Sequence, residues 1–270
     1  MKPILKLKSD AVFKRLFGDP RNAHILKKFL CSVLGIEASN IKRLDIIDPI
    51  SKIEKRKDKT SILDIKIETE TQIMNVEIQL DYFKFMEERI VYGAARSLFS
   101  QLKKGENYGI LKKTIVIIIA DYNLKKEAKE YHDIFRLISN KTNTIFSDII
   151  EIHTLELKKL PKAHDGKELY EWLKFISAEE EKEMEAQAVN NKEINEAYGI
   201  LKKLSEDEAL QMIEFYEERA RMDDIARIEY ALEKGEQEGA KKIINYLKEG
   251  HSLEEAEKLL MADFKKGLSE

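Results

Sequence analysis

One cysteine, four prolines and one tryptophan in 270 residues leave several classes of protein without their raw material. A single cysteine closes no intramolecular disulfide and supplies no cysteine-based zinc site. Cys31 lies in HILKKFLCSVLG beside Ile25, Phe29 and Val33, where it reads as a small helical core residue and not as a nucleophile. The longest apolar run, Ile115–Ala120, is far too short to span a bilayer. The opening MKPILKLKSD lacks the apolar stretch of a secretory signal, so the expected compartment is the cytoplasm. The Asn140-Lys141-Thr142 sequon therefore carries no weight. His24, His132, His153, His164 and His251 are scattered, with no metal-binding pair at helical spacing. Neither a glycine-rich phosphate loop nor a serine nucleophile elbow is present, and no internal repeat is visible.

What is abundant is charge, unevenly placed. Residues 1–160 carry 30 Lys+Arg against 22 Asp+Glu, a net of +8, whereas residues 161–270 carry 17 against 28, a net of −11. The basic front half suits a polyanionic partner, and the acidic back half would repel one unless it points away. The overall net of −3 hides this asymmetry.

The most informative stretch is 61–82, SILDIKIETETQIMNVEIQLDY. Leu63, Ile65 and Ile67 alternate with Asp64, Lys66 and Glu68; Met74, Val76, Ile78 and Leu80 alternate with Asn75, Glu77, Gln79 and Asp81. Alternation of period two predicts two half-buried strands. A turn at Glu70-Thr71, or the wider Thr69–Gln72, sets residues whose numbers sum to 141 opposite one another. Asp64 then faces Glu77 at a Cβ separation of roughly 5 Å, and Glu77 and Gln79 share a face. Like charges so placed cost stability unless a cation lies between them. Mg2+ favours such a site, taking one or two carboxylates and filling its shell with water. It can acidify a bound water and stabilise charge on a phosphoryl oxygen. The plainer reading is that the charges keep the wet face of a hairpin in water, and a one-residue slip in register would separate the pair.

Around the hairpin the pattern alternates between helix and strand. Ser9 caps a helix that ends at Gly18, Asp19-Pro20 restarts the chain, and the next helix stops at Gly35. IKRLDIIDPI (41–50) predicts a strand, and KIEKRKDK (52–59) a charged loop or a phosphate-binding segment. Residues 83–104 predict a long helix closed by Gly105, packing Phe85, Ile90, Ala94, Leu98 and Leu102 on the sheet. TIVIIIA (114–120) is the continuous β-branched run of a strand buried on both faces, and 132–139 and 149–157 predict two more strands. The expected class is α/β with a mixed central sheet flanked by helices, followed by an all-helical C-terminal region. Trp172 anchors the first tail helix, and AEEEKEME (178–185) predicts a solvated helix face or linker. Ser205–Glu208 and Ser252–Glu255 have capping-box spacing, the first opening a helix over 209–234. The final pair, with Ile243, Ile244, Leu247, Leu253, Leu259 and Leu260 along one stripe, predicts either a self-association surface or packing back onto the body. Expected boundaries are 1–161, 162–234 and 235–270.

The Asp…Glu-x-Gln layout, preceded by SDAVFKRLFGD (9–19) and followed by ERIVYGAARSLFSQLKKGENY (88–108), LKKTIVIIIADYNL (111–124), YHDIFRL (131–137) and IEIHTLELKKLP (150–161), resembles the PD-(D/E)xK nuclease superfamily. More narrowly, the chain resembles the Rpn family of recombination-promoting nucleases, often labelled transposases, closely over 1–161 and loosely beyond. The resemblance implies a restriction-endonuclease-like αβββαβ core, cleavage of double-stranded DNA, and Mg2+, with Mn2+ able to substitute. It implies Asp64, Glu77 and the Ile78 carbonyl as metal ligands, with Gln79 completing the catalytic set where a lysine is commoner. Glutamine carries no charge but can orient water. Asp10 is a second candidate from the opening helix, its alternative role being a favourable charge on the helix dipole. Arg89, Tyr92, Arg96 and Gln101 include positions that recur in the family; Arg89 or Arg96 is a candidate phosphate clamp, and Lys66 a source of the missing charge. The competing reading is a weak or inactive nuclease fold serving as a DNA-binding or protein-interaction scaffold. A DDE transposase needs three acids on a different fold, so strand cleavage that promotes recombination is expected rather than self-mobilisation.

Overall fold

The computed structural model describes residues 3–47 and 65–267. The charged segment 52–59 and Asp64 lie outside the described residues. The chain divides into two compact units, Met1–Glu214 and Phe215–Glu270.

The first unit opens with α1 (Asp10–Phe17), which Ser9 precedes and Gly18 ends. After a single turn at Pro20–Asn22 comes α2 (Ala23–Leu34). Gly35 closes α2 at φ 65°, in the left-handed region that a side chain disfavours. Three strands follow: β1 (Asp45–Ile47), β2 (Ile65–Glu68) and β3 (Gln72–Gln79). The β2–β3 register pairs Ile65 with Val76, Lys66 with Asn75, Ile67 with Met74 and Glu68 with Ile73, so every described pair obeys the sum of 141. Thr69 closes the turn: its N–H donates to the Gln72 carbonyl at 2.9 Å, and its hydroxyl accepts from the Gln72 N–H at 3.0 Å.

Helix α3 (Met86–Phe99) is shorter than the predicted 83–104. Phe85 sits before it at φ 66° and is exposed, so Met86 takes the buried position expected of Phe85. At the other end, Gln101 leaves the helix to bond the Lys112 backbone. Then come β4 (Lys113–Ala120), β5 (His132–Ile138) and β6 (Ile145–Glu156). The sheet order is β1-β2-β3-β4-β6-β5, with β4 parallel to both neighbours and the remaining pairs antiparallel. The TIVIIIA run is thus central and buried on both faces, as its lack of alternation requires.

Two cores sandwich the sheet. Ile65, Ile67, Met74, Val76 and Ile78 join Ile115, Ile117 and Ile119 in the larger one, beneath α1, α2 and the tail helices α4 (Glu168–Ser177), α5 (Glu181–Ala188) and α6 (Lys192–Ser205). Trp172 is fully buried there, 5.9 Å from the Phe29 ring and 6.1 Å from that of Phe17. The smaller core packs Met86, Ile90 and Ala94 of α3 on Val116 and Ile118. The acidic 178–185 stretch becomes α5, which turns Met184 and Ala188 inward.

Two tail expectations change. Ser205 ends α6 instead of capping the next helix: its hydroxyl donates to the Leu201 carbonyl at 2.8 Å and accepts the Leu5 N–H at 2.9 Å. Asp207 is the cap, accepting from Ala209 N–H at 2.9 Å. The helix it opens, α7 (Glu208–Lys248), runs through Gly235 and Gly239 to Gly250, at φ 94°. Interior glycine costs about 1 kcal/mol in a helix but does not by itself break one. In the second unit, α8 (Leu253–Gly267) begins with the predicted capping box: Ser252 N–H donates to Glu255 Oε2 at 2.8 Å, and Glu255 N–H to Ser252 Oγ at 3.3 Å. Asp263 of α8 accepts from Lys242 Nζ at 3.1 Å and Tyr246 Oη at 2.9 Å on α7.

Candidate active site

Because β3 alternates, sending Val76 and Ile78 into the larger core turns Asn75, Glu77 and Gln79 to the face that carries α3. Lys66, directly opposite Asn75 on β2, shares that face. The α3 core covers β4 and β6, so the polar row of β3 lies beside the helix instead of beneath it. Arg89, one turn into α3, reaches back and donates from Nη2 to Glu77 Oε1 at 3.0 Å. Gln79 Nε2 donates to the same oxygen. Glu77 is largely shielded, with 17 % of its side chain exposed against 46 % for Arg89. Both contacts converge on Oε1 and fix the carboxylate in the plane that presents Oε2.

Next to this row on the same face is Tyr122, two residues beyond Ala120, the β4 partner of Gln79. Its ring packs edge-on against Tyr82 with centroids 5.6 Å apart, and its buried hydroxyl has no hydrogen-bond partner among the described residues. Burial pushes the Tyr122 phenol well up, and the charge of Glu77 adds to this, so it is a neutral donor. Nothing in the sequence flagged Tyr122; it becomes visible only through the β3–β4 register.

The other expected residues disperse. Tyr92 is exposed on α3. Gln101 is a strut: its amide donates to the Lys112 carbonyl at 3.1 Å and Thr114 Oγ1 at 2.9 Å, and accepts the Lys112 N–H at 2.8 Å. Thr114 pairs with Ile73, four residues before Glu77 in β3, which puts this strut roughly 13 Å along the strand. Asp10 is paired with Lys14, and the buried side of α1 packs on the opposite face of the sheet from Glu77. Burial raises the Asp10 carboxyl above its ordinary range despite Lys14. Asp121 also belongs to that opposite side, where it binds Lys8 at 2.8 Å and Lys158 at 3.0 Å. Ile78 buries its side chain and presents its backbone between the two polar residues of the row. Among the described residues no three His, Cys, Asp or Glu side chains cluster as a metal site.

The described donor set is therefore one oriented carboxylate with a free oxygen, a neighbouring main-chain carbonyl and a cationic side chain at hand. The two oxygen donors of that set suit a hard divalent cation that keeps several waters, with Arg89 a counter-charge and not a ligand. The family model for PD-(D/E)XK nuclease family transposases matches residues 7–231, spanning the hairpin, α3 and the whole sheet.

The chain belongs to the PD-(D/E)XK nuclease family transposases.

Membership accounts for the order of elements in this PD-(D/E)XK protein: helices, an antiparallel meander, a crossover helix and a parallel central strand form a restriction-endonuclease-like fold. No curated protein and no solved structure matches the chain. No helix among the described residues is long and apolar enough to cross a membrane.

One grouping was not anticipated from the histidine spacing. Strands β5 and β6 bring His132 and His153 together, Nε2 to Nδ1 at 2.9 Å, and His153 Nε2 lies 2.8 Å from Glu151 Oε1. Glu151 Oε2 binds Lys113 at 3.0 Å and also Arg136. The side chains of Glu151 and His153 lie on the face opposite to that of Ile150 and Ile152, which pack towards α3, so the chain is separate from the Glu77 row. A cross-strand pair has no short sequence spacing to betray it.

Proposed function

We propose that this protein hydrolyses phosphodiester bonds of double-stranded DNA with the help of a divalent cation, Mg2+ or Mn2+, and that the resulting strand cleavage promotes recombination. The observation that supports this reading is Glu77 held by Gln79 and Arg89 through one oxygen, with no hydrogen bond to the other among the described residues, on the face of a family hairpin whose described register follows the predicted sum. Asp64, Glu77 and the Ile78 carbonyl would hold the cation. A bound divalent cation supplies positive charge at the scissile phosphate and lowers the pKa of water.

The protein's own side chains do the rest. Gln79 orients the attacking water through its amide, in place of a lysine's charge. Arg89 leaves Glu77 to grip a phosphate oxygen with its fork of donors. Lys66, on the same face, supplies cationic charge, and replacing it with Met lowers cleavage. Tyr92 and Gln101 serve as contact and support residues of α3, and Asp10 acts from the opening helix. The excess of 8 positive charges over residues 1–160 draws the duplex in and works in the cytoplasm, where the substrate is at hand. The C-terminal helical pair, whose α7 and α8 leave Ile244, Leu247, Leu253 and Leu259 partly or largely exposed, is the proposed self-association element.

Binding and cleavage separate the nuclease from a scaffold. In an electrophoretic assay with a 30-base-pair duplex, the wild type and Glu77→Ala bind alike, with affinity falling steeply as salt rises. Only the wild type cuts, and only with Mg2+ or Mn2+ present. Binding with no cleavage by the wild type under any divalent ion rejects the nuclease reading in favour of a scaffold.

A further inference from the structure

Three aromatic residues recur at intervals of seven beside the Glu77 row: Phe85, Tyr92 and Phe99. Phe85 immediately precedes α3, and the other two lie within it. They are 61 %, 71 % and 84 % exposed, respectively. Phe85 is held at φ 66°, a conformation rare for a bulky side chain, and Met86 enters the core in its place. Cations are interleaved with the rings at the same interval. Arg89 and Arg96 are both exposed on α3, and Lys84 Nζ lies 5.0 Å from the centre of the Phe85 ring. Seven residues make two turns, so Arg96 points within about 20° of Arg89, whose guanidinium reaches Glu77. Tyr92 and Phe99 flank Arg96, four residues before it and three after, on the side of α3 away from the buried Ile90, Ala94 and Ser97. Among the described residues no carboxylate pairs with Arg96. Exposed aromatics scattered singly are ordinary. A row of them beside a row of cations has the make-up of a platform on which cations follow a nucleic-acid backbone and rings stack its unpaired bases.

Building on the nuclease reading, we infer that the outer face of α3 binds an unpaired DNA strand leading away from Glu77, so that the substrate is a duplex carrying a single-stranded tail. A plain duplex accounts for the arginines but not for the rings. Its bases are stacked on one another and offer only their edges in the grooves, whereas a base of a single strand offers its face to an aromatic side chain. The spacing agrees. Seven residues of helix rise about 10.5 Å, which matches about three nucleotides of a stacked strand at about 3.4 Å each. A partner helix fits this face less well. A coiled-coil seam built on 85, 92 and 99 needs an apolar residue three positions after each. Glu88 holds the first of those positions, and Arg89 and Arg96 lie directly beside the seam. Charge therefore favours a polyanion as the occupant, and the rings favour one with open bases.

Fluorescence anisotropy of the full chain in EDTA, where binding is read without cleavage, tests this with a blunt duplex and the same duplex bearing a twelve-nucleotide tail. The wild type binds the tailed DNA about tenfold more tightly or better. Tyr92→Ala and Phe99→Ala, their folding verified by circular dichroism, each weaken binding of the tailed DNA by about fivefold to a hundredfold, the loss of one stacked base. Phe99→Tyr, which keeps a ring, retains the wild-type affinity. The fluorescence of 2-aminopurine placed in the tail is quenched when the wild type binds and less so with Phe99→Ala. Equal affinity of the wild type for the two DNAs, or tailed-DNA binding unchanged in both alanine variants, overturns the inference and leaves the nuclease reading standing. A wild type that binds neither DNA overturns both.

Discussion

Replacing His132 with Gln should flatten the acid limb of the protein's stability. The ring donates from Nε2 to His153 Nδ1, leaving the His153 Nε2 proton for Glu151, so both imidazoles are neutral in this chain of bonds. Burial, reinforced by the repulsion that a protonated His153 would add and by the charge of Lys167, pushes His132 down from 6.5 to about 4. In the unfolded chain the same ring protonates near 6.5. Between those values the unfolded state binds more protons, so stability is complete above pH 6.5, falls as pH drops towards 4, and loses nothing further from this group below that. A displacement of this size corresponds to roughly 3 kcal/mol for a fully buried group, and about half remains after allowing for solvent around a partly exposed ring. For a unit of this size about 1.5 kcal/mol is a fall of roughly 3–6 °C in Tm. Thermal unfolding at pH 7.5 and 4.5 should show a smaller loss of Tm in His132→Gln than in the wild type by about that amount. The window avoids Glu151, which its partners His153, Arg136 and Lys113 hold at about 2 against the cost of burial, so that its contribution fades only as pH falls below 4.5. Equal Tm losses in the two proteins would refute the reasoning.

Three further outcomes follow from particular contacts. Trp172→Ala removes the centre of the Phe17–Phe29 cluster and should cost about 3–5 kcal/mol in urea unfolding followed by circular dichroism; a loss under 1 kcal/mol would mean that the site collapses without a cavity. Asp207→Ala should cost about 1 kcal/mol by removing the true cap of α7, whereas Ser252→Ala should leave the first unit's transition unmoved. Arg89→Met should reduce the slope of log affinity against log salt for duplex DNA by about one contact. It should change stability by less than about 1 kcal/mol, because the Arg89 end of the pair is half exposed and Gln79 still donates to Glu77. An unchanged slope would show that Arg89 does not reach phosphate.

The parts of the fold legible in the sequence were those with strong local periodicity. The alternation of 65–79 set both the strands and their register, and the unbroken TIVIIIA run marked the central strand. Gly35, in the left-handed region, ended α2 as predicted, whereas Gly105, at φ 91°, lies beyond the end of α3, and helix ends were illegible where a side chain had two possible partners. Ser205 has the spacing of a cap, yet Leu5, 200 residues away, claims its hydroxyl. Gln101 likewise ends α3 early through a bond to Lys112 that no local pattern announces. The site divides in the same way. Glu77 and Gln79 stood out by their two-residue spacing, but Tyr122 and the His132–His153–Glu151 chain are products of strand order. Phe85 was misplaced because helical periodicity ran one residue past the point where the backbone turns left-handed.

The most direct test of the account is single-turnover cleavage of supercoiled plasmid by the wild type, Asp64→Ala and Glu77→Ala, each with Mg2+, Mn2+, Ca2+ or EDTA. The account predicts nicking or linearisation by the wild type with Mg2+ or Mn2+ alone, and a loss of about a hundredfold to a thousandfold in both variants, as expected when a group stabilising the reacting charge is removed. Cleavage that persists in Glu77→Ala, or proceeds in EDTA, would contradict it.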